Sequence, residues 1–235
     1  VNRPFLTARW SNLVLATYAV PPAVLGPLLP PSCEPDLIDG QAFVSLVAFD
    51  FLDTRVLGVR WPGFVNFPEI NLRFYVKRQG TRGVSFVGEL VPSRLIAWIA
   101  LALYNEPYRR AAMRSQVREE GGRRHIEHQV DWRGRRHRIR ASGALPPYRP
   151  AADSLEHFFK EHDLGYGRTR RGALLTYAVE HPHWDVLGDP RLELDWGFGD
   201  VYGPEWGFLD AAQPFSLAIA TGSEVAVSPL STPGR

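Results

Sequence analysis

Glu69-Ile70-Asn71-Leu72-Arg73-Phe74-Tyr75-Val76-Lys77 alternates without a break, with Ile70, Leu72, Phe74 and Val76 apolar and polar groups at every position between them. A period of two puts the two sets on opposite faces of a strand. Gln79-Gly80-Thr81-Arg82-Gly83 follows as a turn, and Val84 to Val91, β-branched and aromatic, returns as the antiparallel partner.

The same reading places strands around Asn12 to Val20, Ala42 to Leu52, Ser115 to Glu120, Arg124 to Asp131, Arg136 to Ser142, Leu174 to Glu180 and Ser216 to Val227. Helices are few. Arg94 to Tyr104 is apolar nearly all round and is stopped before Pro107, which predicts a buried helix. Asp153 and Ser154 offer caps for a helix over Leu155 to His162, and a short helix over Ala23 to Leu29 follows Pro22. The expected fold class is mostly β (α+β): a closed or nearly closed antiparallel structure plugged or covered by a few helices.

The chain has 235 residues, 45% apolar and 22% charged, enough for one sizeable core, and no long linker or 20- to 50-residue repeat divides it. A single domain over 1–235 is expected. The net charge is +2, and only Lys77 and Lys160 of its basic residues are lysines. Lone Cys33 excludes an internal disulfide framework. The first residues lack a signal-peptide core, and the longest apolar stretch, Leu95 to Tyr104, is about half a membrane span. These features predict a cytoplasmic protein that engages no membrane.

Three motif-bearing stretches carry a resemblance: Gly58-Val59-Arg60-Trp61-Pro62-Gly63 with Phe67 to Val76 and Gly83 to Phe86; Tyr104-Asn105-Glu106-Pro107-Tyr108 with Ala112-Met113; and His181-Pro182-His183-Trp184. Together they resemble the YqjF-like domain of unknown function, which is similar to acetoacetate decarboxylases. The resemblance implies a β barrel or cone enclosing a small-molecule cavity. It also implies a site. In the decarboxylases a lysine after a Phe-Pro pair forms a Schiff base and a second lysine beside it lowers its pKa; activation by such a neighbour is a worked example of general chemistry. Here Tyr108 stands at the nucleophile's place and Arg109 at its neighbour's. A phenol cannot form an imine and an arginine stays protonated, so that mechanism is not expected. Lys77, on the polar face of a strand, and Lys160, on the polar side of a short helix, read as solvated surface amines.

Glu69, Asn71 and Arg73 share one strand face. If that face lines the cavity, as the resemblance implies for Glu69, it forms a polar wall able to bind a carboxylate or enol and to move a proton, Arg73 offsetting the burial of Glu69. If it faces water, these are ordinary surface groups. His181, beside Trp184, is the candidate titratable group at the cavity mouth. His181 and His183 have metal-ligand spacing without a recognisable third ligand; His125 and His128 fall on opposite faces of a strand, and His157 and His162 align poorly on a helix. No metal and no cofactor are expected.

Arg123 to Arg140 holds seven arginines, yet Glu127 and Asp131 interrupt it and the net charge offers no broad basic field, so nucleic acid is not an expected partner. Phosphate loops, a Gly-x-Ser-x-Gly elbow and a Cys-x-x-Cys pair are absent. Two functions remain: acid/base chemistry on a small oxo- or hydroxy-acid without a Schiff-base lysine, using catalytic Glu69, Tyr108 and His181 with Asn71, Arg73, Arg109 and Trp184 binding the ligand; or non-catalytic binding of a small organic acid in the same cavity. A homo-oligomer is expected only by resemblance.

Overall fold

The computed structural model describes residues 4–93 and 107–231. The strands are β1 (Leu6–Val20), β2 (Glu34–Pro35), β3 (Ala42–Val56), β4 (Phe67–Arg78), β5 (Thr81–Val91), β6 (Tyr108–Arg110), β7 (Ala112–Glu120), β8 (Arg123–Trp132), β9 (Arg135–Tyr148), β10 (Leu164–Arg168), β11 (Leu174–Glu180), β12 (Val186–Asp195) and β13 (Ser216–Val227). Among the described residues short helices span Pro22–Leu25, Leu155–Lys160 and Phe198–Tyr202. The helix expected over Arg94 to Tyr104 lies outside the described residues. No helix among those described is long and apolar enough to cross a membrane.

One sheet path runs β1-β3-β4-β5-β10-β11-β13, and β13 also pairs with β1, so these strands close into a ring. The chain then continues from β13 through β12, β9, β8 and β7, a second layer lying against the outside of the ring. The alternation read in β4 divides the two cores. Ile70, Leu72, Phe74 and Val76 point outward into the larger apolar cluster, where Ile126, Val130 and Ile139 of the second layer meet them. The opposite face of β4 points into the ring, where Leu15, Val47, Phe49 and Ala218 form a smaller cluster.

The seam of the ring lies between β5 and β10, which pair in parallel at Val84 and Gly165. Glycine is needed on both sides. A Cβ at Gly83 would come within 2.7 Å of the Leu164 carbonyl oxygen, and one at Gly165 would collide with the ring of Tyr177.

The helix Leu155–Lys160 plugs the ring. Ser154 caps it, its Oγ accepting from the His157 N–H at 3.2 Å, as expected for an N-cap serine. The cost of inserting the helix is met on its last turn: Phe159 packs among Phe43, Tyr75 and Val84, and Lys160 is fully buried. This corrects the expectation of Lys160 as a surface amine. That expectation assigned one buried stripe to the helix, whereas its first residue, Leu155, is exposed and its end is buried. Lys77 is partly exposed and pairs with Glu34 at 3.6 Å, in keeping with a surface position.

Candidate functional site

Registers across the ring arrange its inner face in rows. Leu15 of β1 opposes Val47 of β3, Val47 opposes Asn71 of β4, Asn71 opposes Glu89 of β5, and Glu89 opposes Tyr108 of β6. The row therefore begins apolar and ends in an amide, a carboxylate and a phenol side by side. Glu69 lies two residues before Asn71 on the same face and completes the group. Its Oε1 accepts from Asn71 Nδ2 at 3.1 Å and its Oε2 from the Tyr108 hydroxyl at 3.2 Å. Glu69 is 3% exposed and Glu89 1%, so both carboxyl groups are shielded from bulk water.

A second row, one strand period away, runs Thr17, Ser45, Arg73. Thr17 Oγ1 and Ser45 Oγ are 2.6 Å apart, Ser45 Oγ and the Tyr75 hydroxyl 2.5 Å, and that hydroxyl donates to the Phe159 carbonyl of the plug at 3.2 Å. Arg73 Nη2 donates to the same carbonyl at 2.7 Å. Arg73 is thus not Glu69's counter-ion. Four residues of extended strand separate the two by roughly 13 Å, and the arginine turns toward the plug. Its Nε is buried without a hydrogen-bond partner among the described residues.

The plug brings its own charges. Lys160 is ion-paired with Glu161, whose Oε1 also accepts from the Trp184 N–H at 3.1 Å. Burial pushes the Glu161 pKa up, but the Lys160 and Trp184 hydrogen bonds outweigh it and hold the carboxyl below the ordinary glutamate value. His181 stacks on Trp184 with ring centroids 4.1 Å apart and its Nδ1 3.8 Å from Glu161 Oε2. Its side chain is buried, which places it inside the wall and not at an open mouth. His162 packs 5.0 Å from the Tyr75 ring, and burial, then Arg73 and Arg82, hold its pKa well below the ordinary histidine value.

The structure thus joins Glu69, Asn71 and Tyr108 directly and puts Arg73 in the neighbouring row. His181 and Trp184 belong to the cluster around the plug. Arg109 leaves the group: next to Tyr108 on a strand it faces the opposite side, 5.3 Å over the Trp132 ring and 6.0 Å from Tyr202. Burial lowers its pKa. Sequence reasoning missed Glu89, Thr17, Ser45 and the buried Lys160–Glu161 pair. For Glu89 the available signal was a lone carboxylate in the otherwise apolar end of a buried strand, Leu90-Val91 following it. Among the described residues no group of three histidine, cysteine or acidic side chains is placed to hold a metal ion.

The fold is acetoacetate-decarboxylase-like. The chain aligns with an acetoacetate decarboxylase from Legionella pneumophila at a TM-score of 0.63 and 12% identity, covering 98% of this chain and 87% of that one. An acetoacetate decarboxylase-like enzyme from Sphingomonas wittichii aligns at 0.64 and 13% identity, covering 98% and 94%. The enduracididine biosynthesis enzyme MppR, complexed with pyruvate, aligns at 0.62 and 15% identity, covering 97% and 88%. At these identities the likeness establishes the fold. In sequence, residues 7–198 match the DUF2071 family of uncharacterized conserved proteins, and this chain belongs to that family. It is 29% identical over 194 residues to the uncharacterized protein YqjF of Bacillus subtilis (strain 168), spanning 79% of this chain and 76% of that protein.

Proposed function

We propose that the inner face of the ring binds a small oxo-acid and moves a proton at the carbon beside its keto group, with no imine intermediate. The observation that carries this reading is the buried Glu69 carboxylate, held by Asn71 and Tyr108 with Glu89 in the same row. Two carboxyl groups with different partners on one shielded face can divide base and acid roles. Glu69 would take the proton from carbon while the C–H electron pair forms the C=C bond of an enolate and the C=O π pair moves onto the keto oxygen; returning a proton to carbon restores the ketone. Arg73, with its buried Nε unpartnered among the described residues, is the cation proposed to receive a ligand carboxylate in the neighbouring row. Pyruvate is the natural probe, because a protein of the same fold binds it.

The imine route is disfavoured on chemical grounds. Tyr108 replaces the expected nucleophile, and buried Lys160 is already engaged by the Glu161 carboxylate. The test is incubation with pyruvate in deuterated water. Deuterium entering the methyl group faster than in buffer, and no faster than in buffer with Glu69→Gln, is the expected result. Saturable binding of pyruvate with no exchange would replace the enzyme by a binding protein using the same face. Absence of both would remove the oxo-acid reading.

A further inference from the structure

The outer layer ends at β7. Among the described residues its one sheet neighbour is β8, and the pairs from Ala112–Asp131 to Glu120–Arg123 run without a register shift. The other edge of β7 therefore presents a regular row of backbone N–H and C=O groups. Natural sheets blunt such an edge with a proline, a bulge, a covering element or charge. β7 has neither proline nor bulge, and every residue from Gln116 to Glu120 is exposed. What it carries is charge of both signs, in Arg114, Arg118, Glu119 and Glu120. Mixed charge keeps off some strands and selects others.

A second copy of β7 is one it selects. Two copies of one strand can pair antiparallel about a two-fold axis, and few registers are open to them. Opposed side chains lie on the same face of the sheet, so one residue must sit on the axis, facing its own copy. With Val117 on the axis, Arg114 opposes Glu120, Gln116 opposes Arg118 and Ser115 opposes Glu119, each pair occurring twice. Opposite charges then face each other and like charges do not. Moving the axis to Gln116 sets Arg114 against Arg118, and moving it to Arg118 sets that arginine against itself. Val117 adds an apolar contribution. It opposes Ile126, which is 2% exposed on the inner face of the layer, yet Val117 at the margin is 42% exposed. Its own copy across the axis would shield it.

We propose that the chain forms a two-fold dimer by pairing β7 with β7 of a second copy, Val117 on the axis, so that the outer layers of the two molecules join in one continuous sheet.

Sedimentation equilibrium of the full chain at low salt, over loading concentrations of about 5 to 500 μM, tests this, since an interface of a few strand residues is at the small end of specific ones. The expected result is a reversible monomer–dimer equilibrium. Arg114→Glu puts like charges together twice and should weaken the dimer at least about tenfold, and the double variant Arg114→Glu with Glu120→Arg should restore it. Both positions are exposed, so thermal unfolding of the variants should match wild type. In a Cys33→Ser background, Val117→Cys should be joined to its copy by a short dimaleimide, because residues opposed on paired strands lie close together. A chain that stays monomeric throughout this range overturns the proposal. So does a dimer that Arg114→Glu leaves unchanged, one that the double variant does not restore, or one in which Val117→Cys is not cross-linked.

Discussion

The Tyr108 hydroxyl donates to Glu69 Oε2 at 3.2 Å although β5 lies between the strands that carry them. The bond spans the Asn71–Glu89–Tyr108 row diagonally, so it fixes both the carboxylate's orientation and the place of β6 at the ring edge. Tyr108→Phe removes the donor and keeps the ring. If Glu69 is the proton-transfer group, this variant should slow pyruvate exchange by about tenfold or more, while Glu69→Gln should cost about 10²- to 10⁴-fold, the range for loss of a positioned acid or base. Deuterium incorporation followed by NMR measures both. Equal rates in wild type and Glu69→Gln would remove Glu69 from the chemistry.

Arg73→Leu should act through two partners. The Phe159 carbonyl loses a charged donor while keeping that of Tyr75, for which a loss of roughly 1.5–3 kcal/mol in unfolding free energy is expected. The arginine is also one of the charges that, after burial, depress the His162 pKa. Its removal should raise that pKa toward the ordinary value, read from imidazole chemical shifts. Pyruvate binding should weaken far more than binding of neutral acetone. A stable variant with an unmoved His162 titration would contradict the observed geometry.

Much of this was legible at the level of single strands. The alternation of Glu69 to Lys77 gave the two faces of β4 directly, because a strand with an apolar core on one side cannot slip by one residue without inverting it. The family likeness added that the polar side points inward. Long-range placement was hidden. Arg109 looked like a partner of Tyr108 because it is its neighbour in sequence, and the pleat sends it to the other face. Glu89 was obscured by an irregular register between β4 and β5, shifted between Leu72 and Arg73, which breaks the regular row count. Lys160 was misjudged because a six-residue helix has too few turns to reveal which end is inserted. Strands β10 and β12 escaped notice for a related reason: Gly165 and Gly167 weaken one, and acidic and basic residues crowd the other.

The Lys160–Glu161 pair supplies a sharper test of burial. Lys160→Met leaves Glu161 shielded with only the Trp184 N–H and His181 nearby, and should destabilise the protein by about 3–5 kcal/mol. The double variant Lys160→Met with Glu161→Gln should recover part of that loss, since the uncompensated charge is gone. Denaturant titration of the four proteins of the cycle measures the coupling, and additivity would place Lys160 in water after all. Borohydride treatment with pyruvate should leave the intact mass of the wild type unchanged, because Lys160 is fully buried and occupied by its carboxylate partner.

The dependence of stability on pH follows from three buried histidines. Burial lowers the pKa of His128 and of His137, and burial followed by Arg73 and Arg82 holds that of His162 well below its ordinary value. A base whose folded-state pKa is depressed binds its proton more readily in the unfolded chain. Below the unfolded value of about 6.5 the unfolded state therefore takes up protons that the folded state refuses, and stability falls as pH falls. Above that value all three are neutral in both states and contribute no slope. Between about pH 6.5 and the folded-state values, each histidine should contribute up to about 1.4 kcal/mol per pH unit. His162→Gln, which keeps an acceptor for Arg82, should remove one such contribution and flatten the slope by close to one proton, whereas the profile above pH 7 should be unchanged. Urea unfolding at half-unit steps from pH 5 to pH 8 gives the slope directly. An identical slope in His162→Gln would mean that this ring does not titrate differently on unfolding, and would count against its burial beside Arg73.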